Sequence, residues 1–278
     1  MLSYLSPARR GSGLGTALPA LLLLLAFFVI PVAALLSRSV TEPELGLHNY
    51  KTLLGSATYL QIFLNTFMVS AVVTLVTVLI AFPVSWALAI MPPRLSSTIF
   101  AIILLSMWTN LLARTYAWMV LLQQTGLVNR ILMSIGVTER PLQLTNNLVG
   151  VTIGMVYIML PFMILPLYGV IRKIEPAVLQ AAALCGASKT QALRRILLPL
   201  AAPGIASGAL MVFVMSLGYF VTPALLGGTS NMMVAELIVQ QVQSLVNWGM
   251  GGAAACVLLV ITLAIYALQL RLFEREAR

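Results

Sequence analysis

Long, nearly uncharged stretches of about 20 residues or more recur along this chain, each enough to cross a bilayer as a helix. Six such spans are expected: Thr16–Leu36, Thr66–Met91, Thr98–Leu122, Leu148–Ile171, Ala206–Leu226 and Gly251–Leu270. Of the 278 residues, 60% are hydrophobic and 8% charged, where a soluble domain usually carries about 25% charged residues. A soluble fold is excluded, and the sequence predicts an all-α, polytopic membrane protein. The first run follows Arg9 and Arg10, as a signal peptide would. It is longer than a signal h-region of about 7–15 residues, and no small-x-small cleavage site follows, so it reads as an uncleaved anchor helix.

Basic residues set the expected orientation. With the N-terminus inside, Arg9, Arg10, Arg94, Arg172, Lys173, Lys189, Arg194, Arg195, Arg271, Arg275 and Arg278 face inward. Only Arg38, Lys51, Arg114, Arg130 and Arg140 remain outside. Basic residues resist translocation, so both termini are predicted to be cytoplasmic. The net charge of +9 is thereby a topological signal and gives no reason to invoke nucleic acid. One histidine, His48, and two separated cysteines, Cys185 and Cys256, do not make a metal site. The chain has no Asp, which argues against paired-carboxylate chemistry.

The connections differ in character. Ser37–Ile62 is polar and expected outside, with Pro43, Gly46 and Gly55 punctuating short helical pieces. Pro92–Pro93 must end the second helix in a tight turn. Leu127, Ile131, Leu132 and Ile135 recur at helical spacing, predicting an amphipathic helix at the outer interface, with a re-entrant piece as the alternative.

The most informative connection is "QAAALCGASKTQALRRILLP", Gln180–Pro199. Pro176 suits a first helical position, and Gly186 can take the left-handed conformation that closes a helix. Ser188 and Gln191 fit a capping box for a second helix, which Pro199 is expected to end. The result would be two short, angled helices on the inner side. They would either dock in a groove on a partner or lie on anionic lipid.

This stretch resembles the EAA loop of permease subunits of binding-protein-dependent ABC importers. Gln180-Ala181-Ala182, Gly186-Ala187-Ser188 and Ile196-Leu197-Leu198-Pro199 match its spacing, with Glu175 just ahead. Gln180 stands where the family usually has Glu; it keeps the hydrogen bonding and loses the charge. The segments at 111–122, 154–176 and 218–228 resemble the polyamine-type, PotB-like branch, and the likeness spans roughly residues 60–270. It implies a type I importer permease fold of six transmembrane helices in a bacterial inner membrane. Residues 1–60 would hold the cytoplasmic N-terminus, first helix and outer segment, residues 61–270 the permease domain, and 271–278 a cytoplasmic tail. The implied partners are a cytoplasmic ABC ATPase dimer, a second permease subunit in a heterodimer, and a periplasmic substrate-binding protein. This chain itself would hold no cofactor, since ATP and Mg would bind the partner ATPase.

Polar and aromatic residues in the spans are candidates for a solute path, because they are costly to leave in lipid. They are Trp108, Asn110, Arg114, Tyr116, Trp118, Tyr157, Tyr219 and Phe220. Snorkelling, interface belts or helix packing account for the same residues. Pro161, Pro166 and Pro223 mark bends that could gate. A polycation would be expected to meet acidic or densely aromatic surface, and the span cores hold no carboxylate. Amino-acid derivatives, opines and aminophosphonates therefore stay open beside spermidine and putrescine. A secondary transporter would show half-repeats and buried ionisable residues, a hydrolase a nucleophile–base set, and a channel a filter; the sequence displays none of these.

Overall fold

A computed structural model describes residues 13–276; Arg9, Arg10 and Arg278 lie outside the described residues. All regular elements within them are helical, as lipid demands. The first helix runs as α1 (Gly13–Leu24), a π turn (Leu25–Val29) and α2 (Ile30–Thr41). There follow α3 (His48–Gly55), α4 (Ala57–Ile90), α5 (Pro93–Met107), α6 (Leu111–Leu122), α7 (Leu127–Ser134) and α8 (Leu148–Ile171). After α9 (Pro176–Leu184), α10 (Lys189–Ala192) and a second π turn (Leu193–Leu197) lead into α11 (Leu198–Leu217). α12 (Val221–Leu226), α13 (Val234–Val239), a third π turn (Gln240–Ser244) and α14 (Trp248–Glu276) close the order.

Among the described residues five helices are long and apolar enough to cross a membrane: Ala17–Thr41, Ala57–Ile90, Leu148–Ile171, Lys189–Leu217 and Trp248–Gln269. The expected third span, Thr98–Leu122, is not one straight helix. α5 and the segment Leu111–Ser134 are bent by 95°, the geometry of a broken span or of a re-entrant loop, and a sixth span results where the pair is counted as one. Asn110 makes the break: its side-chain oxygen accepts from the N–H of Leu112 (2.9 Å) and of Ala113 (3.2 Å), starting a new helix. The fifth span also moves. Its helix occupies Lys189–Leu217 and stops before Gly218, where Ala206–Leu226 was expected.

Pro199 does not end the helix it was expected to end. The turn before it widens instead, with the Leu198 N–H donating to the Leu193 carbonyl five residues back. A proline clashes with the carbonyl four residues earlier, and the π register moves that carbonyl aside. The first helix repeats the device: the Ile30 N–H reaches the Leu25 carbonyl just ahead of Pro31. α8 remains one helix through Pro161 and Pro166. Pro223 sits in the first turn of α12, where its missing N–H costs little.

The core forms where α4, α8 and α11 pack on one another. α4 contributes a stripe of small residues, Thr66, Ser70, Thr77, Ala81 and Ser85, all fully buried. α8 fills the space between with Met155, Met159, Met163 and Leu167. α11 approaches α8 through Gly204 and Gly208; a Cβ on Gly204 would sit 3.0 Å from the Val170 Cβ and 3.2 Å from the Leu167 Cα. Small residues four apart let membrane helices touch closely and gain dispersion contact. α2 lies along α14, and α7 leaves Leu127 and Ile131 exposed, as is Ile135 just past its end.

Gly204→Val should therefore push α11 off α8, at a cost of about 1–3 kcal/mol from overpacking. Thermal unfolding in detergent reads this as a lowered midpoint; an unchanged midpoint would refute so close an approach.

Candidate functional site

The insert between α8 and α11 is held by its own backbone. Pro176 occupies the first turn of α9. At its other end Gly186 adopts φ +81, and its N–H donates to the Ala183 carbonyl at 3.0 Å. The Ala187 N–H reaches back to the Ala182 carbonyl, also at 3.0 Å, completing a Schellman motif. Ser188 then caps α10: the Gln191 N–H donates to the Ser188 hydroxyl (3.3 Å), and the Ser188 N–H donates to the Gln191 side-chain oxygen (2.9 Å). The capping chemistry legible in the sequence is thus present, while the second helix proves to be the first turn of a 29-residue rod, Lys189–Leu217.

This insert protrudes. Glu175, Gln180, Ala181, Gly186, Ser188 and Pro199 are exposed, Ala187 and Ile196 half-buried, and Ala182 buried. Leu184 is 90% exposed and Leu198 37%, so the insert leaves apolar side chains uncovered. It leaves the bundle at the end where α8 finishes and α11 begins. There Ser96 on α5 donates to the Leu88 carbonyl (2.7 Å) and lies 3.1 Å from the Tyr168 hydroxyl. The Phe100 ring packs 4.8 Å from Tyr168, and the Arg172 guanidinium lies 5.9 Å from the same ring. Sequence reading missed this anchor, because its members lie 72 residues apart and none is unusual alone.

The path candidates fall into two groups. The Trp118 and Tyr157 rings stack tilted, 5.5 Å apart. Arg114 on α6 stands close enough to Tyr219 for its charge to act on the hydroxyl. Arg114 Nε is buried without a hydrogen-bond partner, and the Tyr219 and Thr222 hydroxyls are buried close to each other. Phe220 begins α12 beside them. The 95° bend takes Trp108 away from this group: it is 88% exposed at the end of α5. Tyr116 faces outward at 49% exposure, and Asn110 is occupied in capping α6. Two interrupted helices, at 108–110 and 218–220, therefore bring polar groups to the same end of the bundle, opposite the insert. No cluster of His, Cys, Asp or Glu among the described residues could hold a metal ion.

The molecule is a helical membrane bundle with a self-capped protrusion at one end and polar breaks at the other, and its sequence has no phosphate-cradling loop. The family described as binding-protein-dependent transport system inner membrane component matches residues 93–278, and the chain belongs to it. It is 33% identical over 232 residues to the spermidine/putrescine transport system permease protein PotB of Salmonella typhimurium (strain SL1344), covering 84% of this chain and 79% of the relative. It is 32% identical over 244 residues to the inner membrane ABC transporter permease protein YdcU of Escherichia coli (strain K12), covering 83% and 76%. A chain of the bacterial alginate ABC transporter superposes with a TM-score of 0.77 at 18% identity, covering 95% of this chain and 94% of that one, which bears on the fold alone. The protein is a permease subunit of a binding-protein-dependent ABC importer, an inner-membrane transport component without enzymatic activity of its own.

Ser188→Ala should remove one arm of the capping box and destabilise the start of α10 by about 1 kcal/mol. Hydrogen exchange at the amides of residues 189–192 should quicken accordingly; unaltered protection would mean that the cap contributes nothing.

Proposed function

We propose that this permease forms the membrane path for a polyamine of the spermidine or putrescine kind, delivered by a periplasmic binding protein. The observation that carries the reading is the identity to PotB, a spermidine/putrescine permease by name, over four-fifths of both chains. In this reading the insert faces the cytoplasm and both termini lie on that side, as the basic-residue bias favours. α9, with Gln180, Ala181 and Ala182, seats in a cleft of an ATPase dimer, which binds ATP and Mg. A second, different permease subunit completes the path. ATP can shift the conformational balance only by binding the two states differently, so its effect must reach the membrane through this contact.

Arg114 favours a second reading. A guanidinium with a buried, unpartnered Nε, within electrostatic reach of Tyr219, suits a solute that carries an anionic group as well as an amine, such as an amino-acid derivative. Competition separates the two. Uptake of labelled spermidine that is blocked by putrescine and indifferent to amino-acid derivatives supports the first; the reverse pattern supports the second.

Gly186 tests the coupling. Its surroundings are open, so a side chain there meets only backbone strain, about 1–2 kcal/mol for a residue forced into the left-handed region. Gly186→Val should abolish uptake while the chain still inserts and the ATPase still turns over. Gly186→Asn, which tolerates that conformation, should keep most of the uptake. Equal uptake by Gly186→Val and wild type would remove the coupling role.

A further inference from the structure

The π turns ahead of Pro31 and Pro199 are explained by those prolines, but the third, at Gln240–Ser244, has no proline near it. Such turns cost stability and often persist at functional sites. This one is followed by Val246 at φ +53, a β-branched residue in the left-handed region. The Asn247 N–H, donating to the Gln241 carbonyl at 2.7 Å, holds the distorted chain. The turn thereby presents two neighbouring amides, Gln240 and Gln241, to one cavity.

That cavity, of about 550 Å³, lies between the start of α4 and α13, at the end of the bundle opposite the insert. Its size falls within the roughly 300–1,000 Å³ of small-molecule sites. Gln61, Asn65, Ser230, Gln240 and Gln241 supply its polar wall, and none of its lining residues among those described is charged. Gln61 donates to the Asn65 side-chain oxygen at 2.9 Å, fixing one side. Gln241 is 95% buried, and its side-chain oxygen meets no donor. A buried oxygen left without a donor is costly, and what it lacks is a ligand rich in N–H groups.

We propose that this cavity is an outer subsite for the ammonium end of an amine, held by the Gln241 side-chain oxygen with Gln61 and Asn65 on the facing wall. It rests on the polyamine reading for the identity of the solute, and on this chain alone for the site. A polyamine released by the binding protein would leave water for the path here, one ammonium group at a time. The uncharged wall suits such transit, since it solvates a cation without trapping it as an ion pair would.

The test uses the assembled importer in lipid nanodiscs without binding protein, with equilibrium dialysis of labelled spermidine, and uptake measured in parallel in cells. Gln241→Leu should weaken spermidine binding about tenfold, the worth of one hydrogen bond to a charged group. Gln241→Glu should hold or tighten it. Gln61→Leu, on an exposed position that tolerates substitution, should weaken it too and guards against misfolding of the Gln241 variants. Uptake with Gln241-dependent binding supports both the site and the polyamine reading. Uptake with binding indifferent to Gln241 and Gln61 overturns the site and leaves the reading intact. Gln241-dependent binding without uptake keeps the site and removes polyamine as the solute; neither binding nor uptake removes both.

Discussion

Lipid offers no partner for an N–H or a carbonyl, and this shortage governs the whole chain. Every span must close its own hydrogen bonds, so each interruption of a helix has to be compensated on the spot. Asn110 does this with a side-chain cap. Pro31 and Pro199 are accommodated by a widened turn that rebuilds the ladder one residue out of register. The insert does it outside the apolar layer, with Gly186 closing one helix and Ser188 opening the next. Because these repairs are local, the long-range packing is left to shape: a stripe of small residues on α4, and Gly204 and Gly208 on α11, against the methionines of α8.

Local chemistry is also what the sequence made legible. The apolar runs announced the spans, and the capping box at Ser188 and Gln191 stands where its spacing placed it. The short helix α7 stands where Leu127, Ile131, Leu132 and Ile135 recur at helical spacing. Other features depend on what a local rule meets in three dimensions. Pro199 obeys the helix-breaking rule only in α register, and the chain changes register instead. The bend at 108–110 has no proline or glycine to betray it; Asn110 reads as one polar residue in an apolar run until its cap is seen.

The candidate path was legible as a list and not as an arrangement. Arg114 and Tyr219 lie a hundred residues apart in sequence, and two helices that break at the same end of the bundle bring the Arg114 charge within electrostatic reach of the Tyr219 hydroxyl. Trp108 looked equivalent to Trp118 along a straight helix, and the bend separates them, since one is exposed and the other is paired with Tyr157. The amides of Gln61 and Gln241 drew no notice, being uncharged residues at the margins of apolar runs. Only the fold puts them around one space.

The rod from Lys189 to Leu217 has a mechanical property that follows from where it is held. At 1.5 Å per residue it measures roughly 43 Å, and its tight contact with α8 at Gly204 lies near the middle, with arms of about 22 and 20 Å on either side. Gly208, four residues on, meets α8 as closely, so the rod is gripped over its central turns and its two ends, one rising from the insert and the other stopping beside Tyr219, belong to a single element with no hinge between Leu198 and Leu217.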